Sequence, residues 1–226
     1  MAIPVRRDGS ARIVLLGRQG SGKGTQAAKL SMTYAIPHVS TGEAFREAIK
    51  AGTELGQRVQ AYLDSGELVP DDVVLAVVRE RLFGPGAPEG FILDGVPRTI
   101  GQAEALAALA EPRGIDVVVD LDVPTEEVLR RMSARRVCGN CGANFNLVDN
   151  PPRAAGVCDV CGGPLVQRDD DTEEAIRRRL ELYEDATAPL IAWYRERGLL
   201  VTVDATGPPE EVNRRLVAAL DGAAPR

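Results

Sequence analysis

Apolar residues fall along this chain in two rhythms. Short apolar runs, bounded by glycine or polar turns, occupy 12–16 (RIVLL), 36–39 (IPHV), 90–93 (GFIL), 117–122 (VVVDLD) and 199–203 (LLVTV). Runs of this length predict strands, and runs that are apolar throughout predict strands covered on both faces. Between them, apolar positions are spaced for one helix face over 22–34, 42–50, 54–64, 71–82, 99–110, 125–136, 172–197 and 209–221. These stretches are rich in Ala, Glu, Arg and Leu, which favour helix. In the last of them Val212, Leu216, Val217 and Leu220 share a face, and Pro208-Pro209 suits the first turn. Pro189 predicts a kink in the long stretch 172–197. Strands alternating with helices predict an α/β fold with a parallel sheet flanked by helices.

The rhythm breaks at about 137–168, where Cys, Gly, Asn and Pro replace helix formers. That segment reads as an insertion between two helices. It holds all four cysteines, as Cys138-x-x-Cys141 and Cys158-x-x-Cys161. In a reducing compartment this spacing favours zinc over disulfides. Four thiolates leave no coordination position open, so the expected metal is structural, replacing a core that so short a segment cannot build. Glycines 139, 142, 162 and 163 allow the two turns to fold tightly round it.

Composition then narrows the chemistry. The 226 residues carry a formal charge of −6 and only 4% aromatics, which disfavours a nucleic-acid surface. No apolar stretch is long enough to span a bilayer and no signal-peptide pattern is present, so a cytoplasmic protein is expected. A single histidine, His38, makes serine– or cysteine–histidine catalysis unattractive; it reads as a strand-end side chain. Residues 1–11 read as a ragged N-terminal extension, expected to be disordered. Trp193 and Tyr194 read as helix packing.

Candidate chemistry follows the first strand. GRQGSGKGTQ, residues 17–26, places a glycine-rich turn between a strand and a helix. Phosphate oxygens need several donors at once, and backbone amides converge on them only where no Cβ intervenes. The helix that follows adds its unpaired N–H groups and positive end. Lys23 is placed to reach the outer phosphates. Gly24 stands where the strict pattern has Ser or Thr, so the hydroxyl nearest magnesium falls to Thr25.

From GKGTQ onward the chain resembles the adenylate kinases, within the nucleoside monophosphate kinases. VSTGEAFR (39–46), GFILDGVPRT (90–99), RRMSARRVC (130–138), QRDDDTEEAIRRRL (167–180) and TAPLIAWY (187–194) follow in the family's order, from residue 12 to about 220. The chain departs from the pattern at Gln19 (proline), Glu43 (aspartate) and Val96 (phenylalanine). The resemblance implies a P-loop NTPase fold with a five-stranded parallel sheet. It implies a core of residues 12–136 and 169–226, an AMP-binding segment at about 40–70, and a zinc-binding lid at 137–168. It also implies a monomer exchanging one phosphoryl group among ATP, AMP and ADP with magnesium.

By the same resemblance Lys23, Arg98, Arg135, Arg168 and Arg179 act on the phosphates in transfer, where the protein's task is to position and neutralise. ATP would meet Gly20, Ser21, Gly22, Lys23, Gly24, Thr25, Arg131, Arg135, Phe145 and Gly207. AMP would meet Thr41, Arg46, Glu67, Leu68, Val69, Gly95, Val96, Pro97, Arg98, Gln102, Arg168 and Arg179. Thr25 and Asp94 would hold magnesium, the latter through water. Arg177 and Arg178, by helical period, are expected outside the cleft, as is Arg136. The competing readings are a UMP or CMP kinase, or a zinc-ribbon binding module on a degenerate nucleotide domain.

Overall fold

A computed structural model describes residues 5–65, 67–168 and 171–222. Its central sheet contains β1 (Arg12–Leu16), β2 (His38–Ser40), β3 (Phe91–Asp94), β4 (Val117–Asp122) and β8 (Leu200–Asp204), in the order β2-β3-β1-β4-β8. Every pairing is parallel. The five expected strands are these five, each within two residues of its sequence bounds.

The uninterrupted apolar runs are explained by the two faces. Ile13 and Leu15 of β1 enter one core with Leu30, Met132 and Leu216, while Val14 and Leu16 enter the other with Phe45, Val78 and Leu106. β4 divides likewise, Val117, Val119 and Leu121 against Val118. Side chains alternate across a strand, so a sheet covered on both sides requires apolar residues at every position. The covering helices are α1 (Lys23–Tyr34), α2 (Thr41–Lys50), α3 (Glu54–Ser65), α4 (Asp71–Phe83), α5 (Ile100–Ala110), α6 (Thr125–Ser133), α7 (Glu173–Leu182), α8 (Pro189–Glu196) and α9 (Pro209–Leu220).

Three expectations are corrected. The helix expected over 125–136 stops at Ser133. Arg135–Cys138 instead forms β5, antiparallel to β6 (Asn144–Asn146) and β7 (Leu165–Val166). Asn146 Nδ2 donates to the Arg131 carbonyl and Leu147 N–H to the Ala134 carbonyl, so the hairpin itself caps the helix. The long stretch 172–197 is not one helix: a π-helical turn, Tyr183–Thr187, separates α7 from α8. Pro189 has no N–H to give, and its ring crowds the preceding turn, so Ala188 bonds five residues back to the Tyr183 carbonyl.

Residues 5–11 are ordered against the core rather than ragged. Val5 is buried and donates its N–H to the Leu220 carbonyl at 2.8 Å. Arg7 pairs with Asp221, which also accepts from the Tyr34 hydroxyl at 2.9 Å. Arg113 holds the Ser10 carbonyl. These partners lie far along the chain, where local composition gives no sign of them. Residues 1–4 lie outside the described residues. Among the described residues no helix is long and apolar enough to cross a membrane.

Candidate active site

β1 connects onward to β2 on one side of the sheet and its neighbour β4 to β8 on the other, so the connections from these two carboxyl ends run in opposite directions; open parallel sheets bind ligands at such a point. The loop 17–22 leaves β1 there. Gly17, Gly20 and Gly22 have φ of 133°, 81° and 96°, a region that L side chains seldom enter. At Gly17 a Cβ would lie 2.8 Å from the Leu121 carbonyl oxygen, and at Gly20 2.9 Å from Met132 Cγ. At Gly22 and Gly24 a Cβ would meet nothing within 4 Å. The first pair of glycines serves packing; the second pair faces open cleft.

Lys23 curls back over the loop, donating to the Gly17 and Arg18 carbonyls at 2.7 and 2.9 Å. Loss of hydration lowers its pKa to about 8, a shift that Arg98 and Arg135 reinforce and Asp94 and Asp120 oppose. Ser21 Oγ and His38 Nε2 are buried without a hydrogen-bond partner among the described residues. The latter stands 3.7 Å from Asp94 Oδ2 at the end of β3. Burial would raise the Asp94 pKa, but His38, Lys23 and Arg98 hold the carboxyl below its ordinary value. An ionised carboxylate there, near the exposed Thr25, suits a hydrated divalent cation.

One cleft is lined by the loop and by the following arginines: Arg46 from α2, Arg98 after β3, Arg131 from α6, Arg135 from β5, Arg168 before α7 and Arg179 within it. Burial depresses the Arg98 pKa, and Arg179 and Arg46 lower it further although Asp94 opposes them. Like charges so gathered are the signature of an anion site. Arg98 Nε donates to the Gly95 carbonyl at 2.9 Å, and Thr187 of the π-helical turn donates to the Arg98 carbonyl at 3.1 Å. Arg131 bridges the glycine loop and the turn before α9, reaching the Ser21, Ala205 and Gly207 carbonyls. Arg168 lies 3.2 Å from Asn144 Oδ1.

The remaining expected site residues fall as follows. Thr41, Glu67, Leu68, Val69, Gly95, Pro97, Gln102, Phe145 and Gly207 all line this cleft. Val96 does not: its side chain is 1% exposed and packs in the core with Phe91 and Leu93. A valine after Gly95 alternates inward, away from the cleft. Arg177 pairs with Glu173 within α7, Arg178 reaches Glu67, and Arg136 bonds the Ser133 and Arg135 carbonyls.

Sequence reasoning missed several acids in and around the cleft, two of which hold its arginines in place. Asp171, 2% exposed, takes Arg135 in a bidentate pair. Glu127 grips Arg131 at 2.8 Å; their i,i+4 spacing on a helix could have been noticed. Asp71 accepts from Gln102 and Thr99. Asp120 within β4 has its pKa pushed up to about 6, by burial first and Asp122 second. Nothing local marks Asp171 as buried or Asp71 as a partner of Gln102, whereas Asp120 stands inside the apolar run 117–122, a signal that could have been used.

The four cysteine sulfurs lie within 4.8 Å of one another, Cys138 Sγ 3.4 Å from Cys161 Sγ and Cys141 Sγ 3.7 Å from Cys158 Sγ. A zinc tetrahedron with bonds of 2.3 Å sets sulfur–sulfur edges of roughly 3.8 Å, so the cluster fits a metal such as zinc. The two turns are alike: Gly142 N–H bonds the Cys138 carbonyl and Gly162 N–H the Cys158 carbonyl.

A family model described as Adenylate kinase matches residues 15–199. The chain belongs to the adenylate kinase family. It is 50% identical over 212 residues to the adenylate kinase of Streptomyces griseus, covering 92% of this chain and 97% of that one. It is 49% identical over 211 residues to those of Caldicellulosiruptor bescii and Archaeoglobus fulgidus, covering 92% of this chain and 98% and 97% of theirs. An adenylate kinase is a phosphotransferase, so the chain is an enzyme with a P-loop NTPase fold, not a zinc-ribbon binding module.

Proposed function

We propose that this adenylate kinase moves the terminal phosphoryl group of ATP to AMP, reversibly, giving two ADP. The observation that carries the reading is the single cleft in which Lys23 of a glycine loop faces Arg46, Arg98, Arg135, Arg168 and Arg179, drawn from segments far apart in sequence. Two polyphosphates meeting end to end need that much positive charge, and little covalent chemistry from the protein.

In this reading the donor lies on Gly20–Thr25, with its base beside Arg131, Phe145 and Gly207. The acceptor lies on Thr41, Glu67, Leu68, Val69, Gly95, Pro97 and Gln102, its phosphate held by Arg46 and Arg98. An oxygen of the acceptor phosphate attacks the γ-phosphorus in line, and the bond to the β–γ bridging oxygen breaks. Lys23 follows the migrating group while Arg135, Arg168 and Arg179 neutralise it. Thr25 and, through water, Asp94 would hold a magnesium ion, which would supply further neutralisation of the nucleotide phosphates. Cys138, Cys141, Cys158 and Cys161 would hold a zinc ion, which would give a fixed fold to residues 137–168, a lid that excludes water from the transfer. We place the protein in the cytoplasm as a monomer, with small nucleotides rather than nucleic acid or membrane as its partners.

A coupled assay with ATP, magnesium and each of AMP, CMP, UMP and GMP tests the reading. AMP is expected to give the highest kcat/KM. A higher value for UMP or CMP would reassign the acceptor.

A further inference from the structure

Gln102 is buried, 1% exposed, and both ends of its side-chain amide are engaged. Nε2 donates to Asp71 Oδ1 at 2.6 Å, and Oε1 accepts the backbone N–H of Arg98 at 2.7 Å. A carboxylate can only accept and a backbone N–H can only donate, so only one of the two amide orientations satisfies both partners. Turning the amide over would set Oε1 against the Asp71 carboxylate and Nε2 against the Arg98 N–H. Asp71 is itself placed: it opens α4, and its Oδ2 accepts at 3.1 Å from the Thr99 hydroxyl, which caps α5. Asp71 stands behind Gln102 and does not line the cleft, whereas Gln102 does.

After these two bonds the amide retains one lone pair on Oε1 and one N–H on Nε2. That is an acceptor and a donor side by side, in an order the lock has fixed. A 6-aminopurine offers the complement, a donor at N6 beside an acceptor at N1. A 6-oxopurine offers the reverse, an acceptor at O6 beside a donor at N1, and would need the inverted amide.

We propose that Asp71 is a specificity-determining positioning residue, which locks the Gln102 amide so that the acceptor site selects 6-amino- over 6-oxopurine monophosphates. The inference rests on the reading that the acceptor base lies against Gln102, and it adds the reason one purine is chosen over another. Asp71 touches no nucleotide; it acts through Gln102.

The test compares kcat/KM for AMP and for IMP, with ATP and magnesium, in the wild type and in Asp71→Asn, Asp71→Glu and Thr99→Val. Asparagine can offer either a donor or an acceptor, so it releases one half of the lock. In Asp71→Asn the AMP-over-IMP ratio is expected to fall about tenfold, the scale of one hydrogen bond, through KM rather than kcat. Asp71→Glu keeps an acceptor-only group and is expected to hold the ratio near wild type. Thr99→Val loosens the start of α5 while leaving the Asp71–Gln102 bond, so the ratio is expected to stay while the melting temperature falls. Asp71→Ser, also donor and acceptor, replaces Asp71→Asn should that variant not fold. A wild type that prefers AMP, with the ratio unmoved in Asp71→Asn, overturns the lock alone. An equal fall in Thr99→Val also overturns it, because the effect is then structural. A wild type that takes IMP as well as AMP overturns both the lock and the placing of the base at Gln102.

Discussion

Lys23 shows how one side chain carries opposed demands. It is withdrawn from water by the loop it serves, and its pKa falls to about 8 for that reason first. Below that value the free protein presents an ammonium to phosphate; above it, a neutral amine that attracts no anion. The kcat/KM for ATP is therefore expected to decline as pH rises through about 8. Bound phosphates favour the charged form, so kcat is expected to decline at higher pH than kcat/KM. Parallel pH profiles of the two constants check this, and coincident falls, or none below pH 10, would remove Lys23 as the cause. Lys23→Met is expected to lower kcat at least about a hundredfold, on the order of 3 kcal/mol, with the melting temperature little changed. Activity near wild type in that variant would take the loop lysine out of the mechanism. Two of the cleft's arginines repeat the lesson with partners: Arg135 pairs with the buried Asp171 and Arg131 with Glu127, so both guanidinium groups are fixed in position by the protein itself.

At the scale of elements, the βα turn after β1 divides its glycines by task. Gly17 has φ of 133° and a Cβ there would meet Leu121 backbone at 2.8 Å, so Gly17→Ala is expected to destabilise the fold by about 1–3 kcal/mol. Gly24 lies in the first turn of α1 with nothing within 4 Å of its Cβ direction. Gly24→Ala is expected to keep or slightly raise the melting temperature, since alanine favours helix, while weakening ATP binding through the added methyl. Thermal melts and calorimetric titration with ATP separate the two effects. Equal stability loss in both variants would contradict the division. The π-helical turn before Pro189 is another element with a use: it delivers Thr187 to the Arg98 carbonyl, so the helix interruption at a proline also braces the cleft at Arg98.

Across the whole molecule, the inserted segment stands apart from the two cores that clothe the sheet. Its own buried apolar set is small, Cys138, Phe145 and Cys158 backed by Ala143 and Leu165, and two of these are metal-ligand candidates. A unit this small gains folding energy from any metal that its cysteines bind. The purified protein is expected to hold one zinc per chain by elemental analysis. Chelation is expected to lower the melting temperature by roughly 5 °C or more, the scale of one to two kcal/mol in a chain of this size. Identical melts with and without metal would show the cysteines to be ordinary thiols. Much of this architecture could be read from residue order alone. The strand runs, their parallel arrangement, the phosphate turn and the paired cysteines are local patterns, each imposed by short-range backbone geometry or ligand spacing. The end of α6 at Ser133, the π-helical turn and the docked residues 5–11 were not legible, because hairpin pairing, a missing N–H and partners near the other terminus decided them. The same holds for the bonds of Asp171 and Asp71, which look in sequence like any solvated acid. Chain order specifies which chemical groups exist and which neighbours they have along the backbone; which groups face one another, and so which charges are held and which amide is locked, depends on long-range packing.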